Sequence, residues 1–205
     1  MKGTPEEETG KGVLNKYNTL KAIHEKVSPR LYLEIGVHKG RSLDLASCTA
    51  IGVDPAPQTA AKQNQTIHNT TSDEFFKQKL KIRPDLVLID GLHLFEFALR
   101  DFINSEKICH KKSVIVIDDI FPAHPAQATR ERRTQKWAGD VWKVYAILKK
   151  YRTDLSLDPL KDVYPTGLLV IKNIDPSNNY LLKHYPEIIA EYENKPVPEY
   201  ILNRK

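Results

Sequence analysis

The sequence predicts an α/β protein with a doubly wound, mostly parallel sheet that carries helices on both faces. Short apolar runs of β type alternate along the chain with polar or amphipathic stretches that are long enough for helices. The runs are almost continuously apolar, which indicates a sheet that is covered on both faces. Ligands bind at the carboxyl ends of the strands in such sheets, so the residues that follow each run are the candidates for a site.

The elements follow in order. Apolar residues at helical spacing predict a first helix over residues 12–27, which ends before Pro29. Strands are predicted at residues 31–36, 50–54, 66–69, 85–90, 113–118 and 167–172. Further helices are predicted at residues 40–47, 58–64, 73–80, 94–108 and 139–150, with a last helix, broken or bent at Pro186, at 178–193.

Length and composition favour a single domain. The 205 residues suit one domain over 12–205, and residues 1–11 are predicted to be a disordered lead-in. No apolar run approaches the roughly 20 residues that span a bilayer, and the N-terminus lacks the apolar stretch of a secretory signal. The two cysteines, Cys48 and Cys109, have no zinc-site spacing, so we expect free thiols and a cytoplasmic protein. The net charge of +5 permits an anionic partner without requiring one.

The first predicted strand leads into a glycine turn, LEIGVHKGRS at residues 33–42. Its spacing is G-x-x-x-G, and the G-x-G-x-x-G of dinucleotide-binding folds is not present. Glu34 beside this turn is poorly placed for a phosphate and suits a cationic ligand. The alternative is a plain glycine turn between a strand and a helix. Asp54 closes the second strand and can accept both hydroxyls of a ribose, or it can be a turn residue before Pro55.

Two later segments carry polar residues in positions that fit a site. Ser72 or Asp73 is predicted to cap a helix, and either side chain could also bind the amine of an adenine. Asp90 ends a strand and His93 follows in the next loop. Because histidine titrates near neutral pH, His93 is a candidate general base, and a capping or core histidine is the alternative. Asp101, farther along, is predicted to face solvent.

The run VIVIDDIFP at residues 114–122 ends in two adjacent aspartates, Asp118 and Asp119. With Asp90 they place three carboxylates on neighbouring strand ends, where their charges repel one another. A divalent metal would remove this repulsion, and oxygen ligands suit Mg²⁺, with Mn²⁺ or Ca²⁺ as options. The alternative is a pair of turn residues that face water.

The segment after these aspartates, residues 120–143, is predicted to form a wall of the site next to the acidic cluster. Its arginines are predicted either to bind an anion or to stay solvated. Trp137 could stack on a ring of the ligand, whereas Trp142 is predicted to pack in the core.

Four motifs together, LEIGVHKGRS, IGVDP, LIDGLH and VIDDIFP, resemble the class I S-adenosylmethionine-dependent methyltransferases over roughly residues 30–172. The similarity is strongest to the metal-dependent small-molecule and sugar O-methyltransferases, the catechol O-methyltransferase type. It implies a seven-stranded Rossmann-like sheet with a cofactor half over about 30–110, a metal and acceptor half over about 111–172, and a C-terminal helix over about 178–193. It also implies O-methylation of a small hydroxylated acceptor, a sugar or a diol-bearing metabolite.

The resemblance assigns roles to the strand-end residues. S-adenosylmethionine would contact a set of residues in the first half: Glu34, Gly36, His38, Ser42, Asp54, Ser72, Asp73 and Asp90. Asp90, Asp118 and Asp119 would bind Mg²⁺ or a related ion. His93, together with Asp90, would be catalytic.

Three classes of protein stay open as alternatives, and the first is the nucleic-acid methyltransferases, of DNA amines or of RNA ribose. A nucleic-acid methyltransferase that modifies amines is disfavoured because Asp90-Gly91-Leu92-His93 stands where such enzymes carry Asn/Asp-Pro-Pro-aromatic. RNA ribose methylation is harder to exclude. A nicotinamide-dependent oxidoreductase is disfavoured by the missing third glycine and by Glu34. A non-catalytic binding protein would have no reason to keep a complete acidic cluster. We expect a small-molecule partner, no membrane association and, as an option, a homo-oligomer.

Overall fold

A seven-stranded sheet forms the centre of the computed structural model, which describes residues 3–78 and 81–203. The strands are β1 (Leu14–Asn15), β2 (Leu31–Ile35), β3 (Thr49–Asp54), β4 (Gln65–Asn69), β5 (Leu86–Ile89), β6 (Val114–Asp118), β7 (Ser156–Leu160), β8 (Val163–Tyr164) and β9 (Leu168–Lys172). The helices are α1 (Lys16–Val27), α2 (Ser72–Lys77), α3 (Phe95–Ile108), α4 (Trp142–Tyr151), α5 (Tyr180–Lys183), α6 (Tyr185–Tyr192) and α7 (Glu199–Leu202). Short 3-10 turns cover Leu43–Leu45 and Pro125–Ala128.

The strand order is β4-β3-β2-β5-β6-β9-β7. The five strands from β4 to β6 are parallel, and β9 runs antiparallel to both β6 and β7. The chain moves outward from β2 to β4 and then returns to the other side of β2 with β5, which makes the gap between β2 and β5 the point where the order reverses. Ligands bind in the crevice at such a point. The predicted doubly wound, mostly parallel sheet of seven strands is confirmed.

Alternate residues of the central strands enter two separate apolar clusters, because successive side chains of a strand point to opposite faces. Leu33, Val87 and Ile117 pack in one cluster with residues of α3, α4 and α6. Tyr32, Leu88 and their neighbours pack in the other with residues of α1 and of the first 3-10 turn. Both faces are therefore covered, the first more thickly than the second.

Two predicted helices are wrong. Residues 40–47 contain only the 3-10 turn Leu43–Leu45, and residues 58–64 form no helix. Gly40 has a φ of +72°, which interrupts a right-handed helix at its start. Residues 58–64 follow Pro55 and Pro57 and form bends and a turn that lead into β4. The helix predicted at 73–80 spans Ser72–Lys77, and its residues 79 and 80 lie outside the described residues.

The strand β7 was not predicted, and it contains Pro159, which cannot donate to a sheet ladder. β7 stands at the edge of the sheet, beside β9, and an edge strand tolerates proline. The C-terminal helix breaks into α5 and α6 around His184 and Pro186, as predicted.

Residues 3–15, called the N-terminal strap below, lie across the segment 123–137. Gln127 donates its side-chain amide to the carbonyls of Glu7 (2.7 Å) and Thr9 (2.8 Å). The Glu8 carboxylate accepts the backbone N–H of Gln135 at 2.9 Å. The strap ends in β1, which pairs in parallel with β8. Residues 3–11 of the lead-in that was predicted to be disordered thus contact segments more than 100 residues away, and residues 1 and 2 lie outside the described residues.

Both cysteines are unpaired thiols in the structure, as predicted. Within residues 3–78 and 81–203, no helix is long and apolar enough to pass through a bilayer.

Candidate active site

The carboxyl ends of β2, β3, β5 and β6 open into one cavity of about 1250 Å³. The cavity lining contains the predicted site residues Gly36, His38, Ser42, Asp54, Ser72, Asp73, Asp90, His93, Asp118 and Asp119. The residues chosen at the strand ends therefore lie in one cavity, although they are up to 83 positions apart in the sequence. Glu34 is the exception.

Glu34 lies beneath the glycine turn and is completely buried. Its carboxylate accepts hydrogen bonds from the Tyr32 hydroxyl (2.6 Å) and from the Ser42 hydroxyl (2.8 Å). Burial raises the pKa of Glu34 to about 8, although both hydrogen bonds lower it. Glu34 therefore supports the turn from below and does not line the cavity.

Gly36 is the position where the backbone has no space for a side chain. Its φ is +89°, and a Cβ atom there would lie 1.9 Å from the carbonyl oxygen of Asp90. Gly36 therefore allows the end of β2 to pass close to the backbone that follows β5, and its contact with a ligand stays a prediction.

The Asp54 carboxylate is held by the loop that follows the glycine turn. Oδ2 accepts the backbone N–H of His38 at 2.7 Å, and Oδ1 accepts that of Ala56 at 2.7 Å. Each carboxylate oxygen has a second lone pair, so Asp54 can still accept two hydroxyls from a ligand in the cavity.

The cavity end near α2 differs from the prediction in two respects. The N-cap of α2 is Thr71, whose hydroxyl accepts the N–H of Glu74, and not Ser72 or Asp73. Asp73 instead forms a bidentate ion pair with Arg100, whose Nη2 lies 2.7 Å from Oδ2 and whose Nε lies 3.0 Å from Oδ1. This ion pair lowers the pKa of Asp73.

Asp101 is a cavity residue that the sequence prediction missed, because α3 was expected to turn it to solvent. It is 3% exposed, and its Oδ1 has no hydrogen-bond partner in the protein. Burial raises the pKa of Asp101 to about 7, although a hydrogen bond from Ser72 lowers it. Helical periodicity could have found it, since Asp101 lies four residues after Phe97 and three after Ala98, on the buried face of the helix.

His93 is fixed on both ring nitrogens. Nδ1 lies 2.8 Å from the carbonyl oxygen of Trp137, which can only accept, so Nδ1 carries a hydrogen. Nε2 lies 3.1 Å from Asp119 Oδ2. Burial lowers the pKa of His93, but the charges of Asp119 and Asp90 outweigh it and raise the pKa above its ordinary value. Trp137 also stacks on the ring at a centroid distance of 5.0 Å, so this face of the indole is taken.

The two adjacent aspartates differ in backbone conformation. Asp118 ends β6 in extended conformation, whereas Asp119 has a φ of +62°, in the left-handed region that aspartate tolerates better than most residues. The reversal lets Asp118 Oδ1 accept the N–H of Asp119 at 2.8 Å, and it brings the Asp119 carboxylate to His93.

Lys16, the first residue of α1, lies among the carboxylates. Its Nζ is 2.7 Å from Asp90 Oδ2 and makes a still closer contact with Asp118 Oδ2. Burial lowers the pKa of Lys16, but Asp118 and Asp90 outweigh it and hold the pKa well above its usual value. With His93 protonated, three carboxylates face two cations, which leaves one net negative charge. Burial raises the pKa of Asp118, Lys16 lowers it, and the charges of Asp119 and Asp90 raise it further.

The sequence reasoning missed Lys16, which is 74 residues from Asp90. One signal was present. A lysine in the first turn of a helix opposes the helix dipole, and α1 has no acidic residue there. Such a lysine is stabilised when carboxylates from elsewhere in the fold surround it.

The predicted metal ligands, Asp90, Asp118 and Asp119, do not fit an ion while Lys16 is in place. Lys16 Nζ contacts one oxygen of Asp90 and one of Asp118, which is where an ion held by both carboxylates would lie. Two unit charges 4 Å apart repel by about 4 kcal/mol at an effective dielectric constant of 20, so a dication and an ammonium repel by about 8 kcal/mol.

A different set of ligand atoms does converge. Those of Asp90, His93 and Asp119 lie within 4.8 Å of one another. This set contains a nitrogen, which suits Mn²⁺ or Zn²⁺ better than Mg²⁺. An ion there would occupy the His93 nitrogen that a general base needs.

The segment 120–143 forms part of the cavity wall, as predicted, through Arg132, Gln135, Lys136 and Trp137. Arg130 instead forms ion pairs with Glu96 and with the buried Asp140. Trp142 is 2% exposed and belongs to the core, as predicted.

Comparison with known proteins agrees with this architecture. Residues 33–120 match a family described as a methyltransferase domain. No curated protein matches the sequence.

Solved structures with the same architecture include three methyltransferases. PaMTH1 from Podospora anserina, bound to SAH, is 14% identical with a TM-score of 0.60 over 78% of each chain. An O-methyltransferase from Bacillus cereus, in complex with SAH, is 12% identical with a TM-score of 0.57 over 77% of this chain and 80% of that one. TomG from Streptomyces achromogenes, in complex with SAM, is 12% identical with a TM-score of 0.57 over 78% and 80%. The chain thus has the Rossmann-like fold of the class I methyltransferases.

Proposed function

We propose that this chain, which has the class I methyltransferase fold, is an S-adenosylmethionine-dependent O-methyltransferase of small hydroxylated acceptors. The observation that carries the proposal is one cavity with two chemically different ends. Asp54 lies at one end in a position that suits a ribose, and His93 with Asp119 lies at the other in a position that suits proton transfer. The similar structures bound to SAH or SAM support the choice of cofactor.

The size of the cavity suits a cofactor and a second substrate together. Pockets for a single small ligand enclose roughly 300–1000 Å³, and this cavity encloses about 1250 Å³. Gly36 allows the methionine part of the cofactor to approach the backbone, and Asp54 accepts the ribose hydroxyls. Ser72 and the unpartnered oxygen of Asp101 are better placed to meet the adenine amine than Asp73, which Arg100 occupies.

The reaction is a displacement at the methyl carbon. The acceptor oxygen forms a bond to this carbon while the carbon–sulfur bond breaks, and the electron pair of that bond stays on sulfur as a neutral thioether. The acceptor hydroxyl gives its proton to Nε2 of His93 in its neutral form, a step that contributes about 10²–10⁴-fold in rate. Asp119 and Asp90 raise the pKa of His93, so this neutral form gains population as pH rises. Asp119 stabilises the imidazolium that forms, and the Trp137 carbonyl holds Nδ1.

Divalent-metal assistance is the part of the predicted function that the geometry supports least, since Lys16 engages two of the three predicted ligands. A metal, if bound, would supply positive charge that favours ionisation of the acceptor hydroxyl. A sugar or diol acceptor remains our expectation for the substrate class, because the acceptor end is polar and lined by Gln135 and Lys136.

Isothermal titration of S-adenosylhomocysteine into the purified protein tests the cofactor, with release of S-adenosylhomocysteine from S-adenosylmethionine then followed over a panel of catechols, sugars and polyols. We expect saturable binding and turnover with at least one hydroxylated acceptor. Absence of binding would reject the proposal, and nicotinamide nucleotides would be the next ligands to titrate. A steep dependence of activity on salt with RNA as acceptor would point to nucleic acid instead.

A further inference from the structure

Lys16 takes the position that the sequence pattern assigned to a metal. We propose that Lys16 is a built-in cation of the acceptor site and that methyl transfer in this protein proceeds without a divalent metal. The inference rests on the proposed function for its catalytic part, but its charge arrangement is independent of the acceptor.

The first support is contact geometry. Lys16 Nζ lies 2.7 Å from Asp90 Oδ2, contacts Asp118 Oδ2 more closely, and lines the cavity. The side chain of Lys16 is 17% exposed and that of Asp118 is 5% exposed, so water screens this charge arrangement weakly. The ammonium therefore compensates the two carboxylates that a metal was predicted to compensate.

The second support is the way the fold places Lys16. Leu14 and Asn15 pair with Val163 and Tyr164 just before the helix begins, and the N–H groups of Val13 and Leu14 both donate to the Asp162 carbonyl at 2.9 Å. The Asn15 side chain then caps α1 by accepting the N–H of Tyr17 at 2.9 Å. The backbone of Lys16 is thus fixed on both sides, unlike that of a lysine on a loose terminus.

The third support is chemical. An ammonium has three N–H donors, of which Asp90 and Asp118 take two. The third can donate to the oxygen of an acceptor that enters the cavity, where it would stabilise the negative charge that develops as His93 removes the proton. A metal at this point would supply the same positive charge, so a fixed lysine makes a separate ion unnecessary.

The experiment compares the wild-type chain with Lys16→Met and Lys16→Arg. Lys21→Met, on the exposed side of α1, is the matched control. Mg²⁺ and Mn²⁺ are titrated calorimetrically into each metal-stripped protein, which needs no acceptor. S-adenosylhomocysteine titration reports on the cofactor site separately, and turnover is measured with and without EDTA.

We expect the wild type to show no stoichiometric Mg²⁺ or Mn²⁺ site and no loss of turnover in EDTA. Lys16→Met leaves the carboxylates uncompensated, so we expect it to gain divalent-ion binding and to lose at least 100-fold in kcat with little change in S-adenosylhomocysteine affinity. Lys16→Arg keeps the charge and should bind no ion, and it remains informative if Lys16→Met fails to fold.

Stoichiometric Mg²⁺ or Mn²⁺ binding by the wild type, or loss of its turnover in EDTA, would overturn the inference. Full kcat in Lys16→Met would do the same, because a purely structural ion pair moves stability and not kcat. If S-adenosylhomocysteine fails to bind the wild type, the proposed function fails, whereas the ion titrations still decide the charge arrangement.

Discussion

At the scale of single residues, the role of each of the two adjacent aspartates depends on the basic side chain beside it. Asp118 faces Lys16 and Asp119 faces His93, because the backbone turns into the left-handed region between them. Two carboxylates that follow one another in sequence therefore serve two different partners. The repulsion that suggested a metal is offset by side chains of the same chain.

His93→Gln tests the proton acceptor. Glutamine can keep a hydrogen bond to the Trp137 carbonyl but takes up no proton, so kcat should fall by about 10²–10⁴-fold. Steady-state kinetics with the best acceptor measures this, and S-adenosylhomocysteine affinity should stay within a few-fold of the wild type. His184→Gln, on the exposed junction of α5 and α6, is the control. An unchanged kcat in His93→Gln would remove His93 from the chemistry.

Asp54→Asn tests the ribose contact. Hydrogen bonds to a charged group contribute about 1.5–3 kcal/mol each, so the Kd for S-adenosylhomocysteine should rise about 10–100-fold. Calorimetry measures this in the absence of an acceptor. Asp44→Asn, which alters a surface ion pair with Lys62 outside the cavity lining, should leave the Kd unchanged. Equal affinities in Asp54→Asn and wild type would make Asp54 a turn residue only.

At the scale of elements, the N-terminal strap and the segment 123–137 form one unit. Glu8 accepts N–H groups from this segment, and Gln127 donates to two carbonyls of the strap. Through β1 the same strap sets the start of α1 and hence the position of Lys16. The wall of the cavity and its cation therefore depend on the first residues of the chain.

Glu8→Ala tests this coupling. Loss of the Glu8 carboxylate removes the acceptor for the Gln135 N–H, so the segment should open more often and trypsin should cleave faster at the exposed Arg132 and Arg133. Limited proteolysis followed by mass spectrometry identifies the cut sites. Glu6→Ala, an exposed neighbour in the same turn, is the control. Identical cleavage rates in the two variants would argue against the coupling.

At the scale of the whole molecule, the order of the strands creates the site. β2 and β5 are adjacent although about 50 residues separate them, so Gly36 and Asp90 meet. Asp54 and Asp118 flank them at the ends of the neighbouring strands β3 and β6. Burial of carboxyl groups near this edge lowers the stability of the fold, because it raises the pKa values of Asp101, Glu34 and Asp118.

Asp101→Asn tests that cost through the pH dependence of global stability. The folded pKa of Asp101, about 7, lies above its unfolded value of 3.8. The stability it contributes is therefore complete below pH 4 and is lost as pH rises to 7. At about 1.4 kcal/mol per unit, the loss is on the order of 4 kcal/mol.

The asparagine variant should therefore unfold at higher urea concentration than the wild type at pH 8, and the difference should shrink at pH 5. Asp162→Asn, an exposed aspartate near β8, should show no such trend. If the variant and the wild type differ in urea midpoint by the same amount at pH 5 and pH 8, Asp101 is charged in both the folded and the unfolded protein.

The sequence predicted much of the site because the strand-end rule needs only apolar runs and the residues that follow them. Asp54, Asp90 and His93 were chosen in this way, and the methyltransferase fold that their motifs implied is confirmed. The rule could not find Lys16 or Asp101, which lie on helices, where no local pattern reveals the partner. The rule also placed Glu34 in the cavity, whereas its side chain is buried beneath the glycine turn. Alternation along a strand does not tell whether a polar side chain faces a cavity or the interior.

The sequence by itself determined the α/β class, the strand ends and the chemical types gathered there, because these follow from local periodicity and from the geometry of parallel sheets. Only the tertiary structure decided which charges meet. Whether three carboxylates face a metal or a lysine depends on contacts across 74 residues, and such contacts are set by strand order, by the N-terminal strap and by burial.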